Sequence, residues 1–298
     1  MIKYFLFILV VFITIGCQKE NEETYLDDVR RIQISDNITI DNGFEIKGPI
    51  FNYITYDNFL KHISSSDRFL IVQQKDLNKT ESSDKVIISI RHDIDDNINA
   101  AIKFAYLEHK YGIKSSYFIL HTAGYYGETK QNYFKRNDNI IYYLKKIQNV
   151  YGHEIGWHND LVTLQVIYGI DPKNFLKEEL KWLRSKGIEI SGSVTHGSPY
   201  CHMYHYLNSY FWLETQVVKY EKFYNTDFIR IGKNFFKIEK DSMKNYSLEY
   251  EDLLMRADYY FADCEFPNGK RWHMGMVDFD TIKPGKKVII LLHPQHWD

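Results

Sequence analysis

An α/β fold, its parallel sheet curling into a distorted barrel of about seven strands, is predicted by three features of this 298-residue chain. First, short apolar runs alternate with longer segments of helical periodicity, the rhythm of β/α units rather than of hairpins. Second, the number of such units favours a barrel over an open sheet. Third, the runs end on a histidine or an aspartate. Val86–Ile90 leads into Arg91-His92-Asp93-Ile94-Asp95, Ser115–Leu120 into His121, and Glu154–Trp157 into His158. Ser191–Thr195 leads into His196, Tyr259–Ala262 into Asp263, and Val288–Leu292 into His293. Parallel strands bring their C-terminal ends to one face, where such folds place ligands and catalysis. Reactive groups recurring at that point of each unit predict a metal-dependent hydrolytic site.

From the N-terminus, Met1-Ile2-Lys3 and the apolar stretch Tyr4–Ile15 have the form of an export signal, too short to span a bilayer comfortably. The stretch runs into Thr14-Ile15-Gly16-Cys17, which resembles a bacterial lipobox. That resemblance implies removal of residues 1–16 and acylation of Cys17, giving an exported lipoprotein on the periplasmic or cell-surface side of a membrane. With Gln18 after the cysteine, the outer membrane is the expected destination in a Gram-negative host. Residues 17–45 read as a polar tether and lead-in, and residues 46–298 as the folded body.

Within the body, Phe51–Val72 is expected to pack as an N-terminal addition to the barrel and Asp76–Asp84 to be a loop. Lys85–Ile90 is β-branched and apolar, and Asp96 offers an N-cap to a helix whose Ile98, Ala101, Ile102 and Ala105 share one face. Gly112 ends that helix. After the strand Ser115–Leu120, the Tyr/Gly-rich loop His121–Gln131 is placed to form a rim of the cleft. A helix over Ile140–Tyr151 closes at Gly152, strand His153–Trp157 follows, and Pro172 opens a helix over Lys173–Lys186 that Gly187 ends. Beyond strand Ser191–Thr195 the segment Tyr204–Ser247 is less regular, with Phe228–Ile231 its best strand candidate. Tyr259–Asp263 and Val288–Leu292 make the last unit.

Charge excludes some functions. Lys and Arg total 37 against 39 acidic residues, so no basic excess points to nucleic acid. The 24 Tyr and 19 Phe suit sugar-stacking platforms, but heavy use of aromatics in the core explains the same count. There is no Cys-x-x-Cys spacing, which argues against a thiolate zinc site. With Cys17 consumed by lipid, Cys201 and Cys264 are left, and sequence neither pairs them nor keeps them apart.

Asp93 and Asp95 lie two apart at a strand end and so point to the same side. Two carboxylates that close tolerate joint ionisation best beside a cation, so one is suited to ligate metal while the other takes a proton. Alternation places Glu154, Gly156 and His158 on one face and His153, Ile155 and Trp157 on the other, making His158 a natural ligand. His196, before Gly197-Ser198-Pro199, and His293, before Pro294, stand at equivalent strand ends. His92, His121, His202, His205, His273 and His296 are given no direct role.

These residues resemble the polysaccharide deacetylases with a NodB-type domain, carbohydrate esterase family 4. Asp93-Ile94-Asp95 looks like the first motif, whose leading aspartate is the catalytic base and whose second acid binds metal. Gly152-His153-Glu154-Ile155-Gly156-Trp157-His158 resembles the second, Ser198-Pro199-Tyr200 the end of the third, and Asp263 with Arg271-Trp272 the fourth. Leu291-Leu292-His293-Pro294 resembles the last, whose histidine is the general acid. The likeness covers about Lys85 to Asp298. Two positions depart from the family pattern. Val162 stands where a further metal histidine is usual, and the third motif lacks its base-orienting arginine. A subgroup reading Arg-His-Asp-x-Asp, His-Gly-Ser-Pro and His-Pro-Gln-x-Trp is closer, and His196 is expected to replace the missing ligand.

The resemblance implies a distorted barrel of that type and a hydrolase of non-peptide carbon–nitrogen bonds. Its substrate would be the N-acetyl (or O-acetyl) groups of a cell-envelope or extracellular polysaccharide. Asp95, His158 and His196 would hold a divalent metal, zinc first, with cobalt, nickel and iron also suited to two imidazoles and a carboxylate. Asp93 is then the base, His293 the acid oriented by Asp263, and Tyr200, Arg271 and Trp272 the substrate-binding wall. Two other readings compete on sequence alone. One is a non-catalytic glycan-binding lipoprotein on the same barrel, which would be metal-free; the other is a metal amidohydrolase of a small non-sugar amide, which would have a closed pocket.

Overall fold

The β-branched run that starts at Val86 makes the longest strand, β4 (Val86–Ile94), and every residue in it is buried. Its alternation serves two interiors. Val86, Ile88, Ile90 and Ile94 join the main hydrophobic core beneath the helices, while Arg91 and Asp93 face the concave side. The computed structural model describes residues 53–217, 227–263 and 279–297, with two short strand pieces, β1 (Ile38–Thr39) and β2 (Glu45–Ile46), ahead of them. The expected export signal, Cys17, Cys264, Arg271, Trp272 and His273 lie outside the described residues. Among those described, no helix is long and apolar enough to cross a membrane.

Parallel strands build outwards from β4 and curl into a half-barrel. On one side come β14 (Lys287–Leu292) and β13 (Tyr259–Ala262). On the other come β5 (Ser116–Leu120), β8 (Glu154–Asn159), β9 (Ile190–Thr195) and β12 (Tyr250–Glu251). An eighth strand, β3 (Phe69–Val72), pairs with the first half of β4. The segment expected as an N-terminal addition therefore divides: α1 (Tyr53–Ser65) packs outside, but Phe69–Val72 joins the sheet.

The curl follows from chain length. Laid flat, the path from β12 to β13 would hold its two edges roughly 29 Å apart, at about 4.8 Å per strand spacing. Only residues 252–258 join Glu251 to Tyr259, a reach of at most about 29 Å fully extended, no more than the span itself, and Asp252–Leu254 spends part of it in a tight turn. A flat sheet is thus out of reach. Arg91, on β4, bonds to the Tyr260 hydroxyl on the edge strand two places away and also to Asp252, which follows the edge strand four places away on the other side, a reach that the curl provides.

Helices cover the outer face. In α3 (Ile98–Lys110) the N-cap is Asn97, whose side chain accepts from the amides of Asn99 and Ala100, so the cap falls one residue after the expected Asp96. The helix buries Ala101, Phe104, Ala105 and Glu108, and Gly112 takes the left-handed φ of 69° that ends it. The helix expected over Ile140–Tyr151 is α4 (Ile140–Lys145) continued by a π turn over Lys146–Val150. Helix α6 (Pro172–Ser185) starts at the expected proline, capped by Asp171. Two segments expected to be loops carry structure. A short helix, α2 (Gln74–Leu77), enters the first, and the Tyr/Gly-rich segment contributes β6 (Gly127–Lys130), paired with β7 (Tyr133–Arg136). Phe228–Ile231 is a strand, β10, in a hairpin with β11 (Asn234–Lys237).

Candidate metal centre

Because the strands are parallel and staggered by only a few residues, their C-terminal ends meet. Leu292 of β14 stands opposite His92, Leu120 of β5 opposite His158, and Asn159 of β8 opposite Thr195. Asp95, His158 and His196, from three different strand ends, each offer a ligand atom within 4.8 Å of the others. Nε2 of His158 lies 3.1 Å from Oδ1 of Asp95 and 3.4 Å from Oδ2 of Asp93. Its Nδ1 faces the Val194 carbonyl at 3.2 Å. A carbonyl only accepts, so Nδ1 carries a proton, and Nε2 is the nitrogen turned toward the two carboxylates.

That juxtaposition needs a positive charge. Two acceptors do not approach to 3.1 Å unless a proton or cation serves both, and ligand atoms about 2.1 Å from one tetrahedral ion lie roughly 3.4 Å apart. Asp95 Oδ1 is buried and makes no hydrogen bond among the described residues, with His158 Nε2 beside it. Burial alone would push the Asp95 carboxyl up, but its contact with His158 and the charges of His293, His158 and His196 hold it well below the usual range. Burial likewise disfavours charge on His196, yet Asp160, with Asp95 and Asp93 behind it, raises it to about 9. Asp93, Asp95, Asp160 and Asp263 share the site with Arg91 as the sole arginine or lysine in contact with any of them among the described residues. The donors present thus fit a divalent cation.

Asp160 is a residue the sequence reading passed over. It is 2% exposed, accepts from Thr122 Oγ1 (2.6 Å) and Asn208 Nδ2 (2.8 Å), and places Oδ1 3.2 Å from His196 Nδ1. A carboxylate behind an imidazole holds the ring and leaves its other nitrogen for an ion. Val162, where the resembled family has a histidine, is buried core in α5 (Leu161–Val166).

A second group, Asp263, His293 and His296, also meets within 4.8 Å. Here the carboxylate is already committed. Asp263 Oδ1 accepts from His293 Nδ1 at 2.6 Å, and Oδ2 accepts from the His293 amide at 2.7 Å and the Trp297 indole at 2.9 Å. His293 Nε2 faces Asp95 Oδ2 at 3.8 Å. Burial disfavours the imidazolium, but Asp263 outweighs it and His293 is raised to about 9. The ring therefore holds two protons near neutrality, with one directed at the site.

Both oxygens of Asp93 are gripped by Arg91, with Nε to Oδ1 at 2.8 Å and Nη2 to Oδ2 at 2.6 Å. The sequence signal was the i, i+2 spacing of Arg91 and Asp93. Among the other expected residues, Tyr200 sits half-buried on the first turn of α7 (Pro199–Tyr204), against the main core. Cys201 is buried with a free thiol. His92 is buried on Glu108, and His121 is buried against Trp157, near Asp160 and the His158 backbone. No family model, curated protein or solved structure matches this chain.

Proposed function

We propose that this protein is a metal-dependent deacetylase on a distorted barrel of the NodB type, exported as a lipoprotein and acting on an acetylated polysaccharide of the cell envelope or its surroundings. The observation that carries the reading is the meeting of Asp95, His158 and His196 within 4.8 Å, with Asp93 on one side and the His293–Asp263 pair on the other. The order of the motifs along the chain supports it as well.

Asp95, His158 and His196 would hold the ion, zinc first among zinc, cobalt, nickel and iron. When bound, it supplies Lewis acidity that polarises an acetamide carbonyl and makes water a better nucleophile. Asp93, beside His158, takes the proton that the attacking water gives up. Arg91 keeps that carboxylate in one orientation. His293, charged near neutrality and held by Asp263, delivers a proton to the departing sugar nitrogen, which cannot leave as an amide anion. An ester oxygen leaves more easily, so the acid matters most for N-acetyl groups.

The test is acetate release from chitooligosaccharides and peptidoglycan by zinc-loaded protein, beside metal analysis. Asp93→Asn is expected to keep its metal and lose release. A protein that binds no divalent metal, or an Asp93→Asn variant as active as wild type, sinks the proposal.

A further inference from the structure

We infer that Arg91, clamped from behind by Asp252, is the positioning residue that orients Asp93, so that the turn joining the two edge strands of the half-barrel sets the geometry of the base. This rests on the deacetylase reading for the role of Asp93, though not for the clamp itself.

The guanidinium is used on both sides. Its Nε and Nη2 form a fork on the two oxygens of Asp93, while Nη1 donates to Asp252 Oδ2 at 2.6 Å and to the Tyr260 hydroxyl at 3.1 Å. The side chains of Arg91, Asp93 and Asp252 are 5%, 3% and 10% exposed, so water does not compete for these bonds. Asp252 is itself fixed, because its Oδ1 accepts from the Gln74 amide. Gln74 in turn accepts from Ser89 Oγ at 3.1 Å, and its backbone N–H donates to Ser116 Oγ at 2.8 Å. Beneath the planar group lies the Phe118 ring, 5.7 Å from Cζ.

A planar fork sets the plane of the carboxylate as well as its position, which a lysine ammonium cannot do. With both guanidinium edges occupied, rotation of Arg91 would break bonds to Asp93 and Asp252 together. The rigidity of the base therefore comes from a residue 159 positions further along the chain than Asp93, in a connection that carries no proposed ligand. Asp252 touches no reacting atom and acts through Arg91 alone.

The test uses the full chain loaded with zinc, as Arg91→Lys and, in case the buried lysine disturbs folding, Asp252→Asn. Both are expected to keep metal content and KM. The fall in kcat for acetate release should be about 10²-fold for Arg91→Lys, the scale set by a misplacement of about 1 Å, and smaller for Asp252→Asn. In crystals of either variant, the Asp93 carboxylate should leave its place beside His158 Nε2. Folded variants with wild-type kcat, or with Asp93 unmoved, overturn the inference. A metal-loaded wild type that releases no acetate sinks the deacetylase reading instead, and the crystal structures then decide the clamp by themselves.

Discussion

Glu108 offers the sharpest check on how the outer layer supports the site. Its carboxylate is fully buried and accepts from Tyr56 OH at 2.5 Å, Tyr117 OH at 2.5 Å and His92 Nε2 at 2.6 Å. These groups come from α1, β5 and β4, so one anion on α3 ties three elements together. His92 lies between Arg91 and Asp93, on the opposite face of the strand that holds the base. Burial alone would raise Glu108, but His92 and the other donors lower it from 4.5 to about 2. That shift corresponds to about 3 kcal/mol in favour of the folded anion, close to the 3–5 kcal/mol lost when one member of a buried pair is removed. Glu108→Gln keeps the shape but turns an NH2 toward hydrogen-bond donors, so it is expected to destabilise by about 3 kcal/mol. For a body of this size that means a Tm lower by about 6–12 °C. Because the folded value is depressed, the contribution is complete above the unfolded value of 4.5 and disappears as pH falls toward about 2. Urea titrations of both proteins at pH 7 and pH 3 measure it. A Gln variant within about 0.5 kcal/mol of wild type at pH 7, or a gap of the same size at pH 3, refutes the argument.

Other expected outcomes concern the centre and the barrel wall. His196→Ala should lose most bound metal by elemental analysis, and unchanged content would remove His196 from the ligand set. Asp160→Asn should weaken zinc binding by about 10- to 100-fold in chelator competition; equal affinity would show that the carboxylate behind His196 does nothing for the ion. Trp297→Phe removes the indole N–H from Asp263, and unfolding titrations should show a loss of about 1–3 kcal/mol; a variant as stable as wild type would contradict it. At Gly156 a methyl would run into the Phe118 ring inside the curl, so Gly156→Ala should cost about 1–3 kcal/mol in the same assay. Unchanged stability there would mean that Phe118 has room to move.

Alternation is a property of the strand itself, and it told correctly which side chains share a face. Glu154 turns inward to Ser116 and Tyr250, while Ile155 and Trp157 turn outward into the core. Local capping chemistry was equally readable at Pro172 and Gly112, though Asn97 and Asp96 compete for one cap and only backbone geometry chose between them. Asp95, His158 and His196 were legible as candidates because each ends an apolar run.

The partners that complete the site are non-local and carry no periodic signal. Asp252 meets Arg91 only because the sheet curls until both edges come within reach of β4, and Asp160 meets His196 only because β8 and β9 are neighbours. Composition and spacing were enough to determine a β/α chain with acids and imidazoles at its strand ends. Strand order and curvature, which depend on how the whole core packs, decided which of those groups face one another and which residues hold them there.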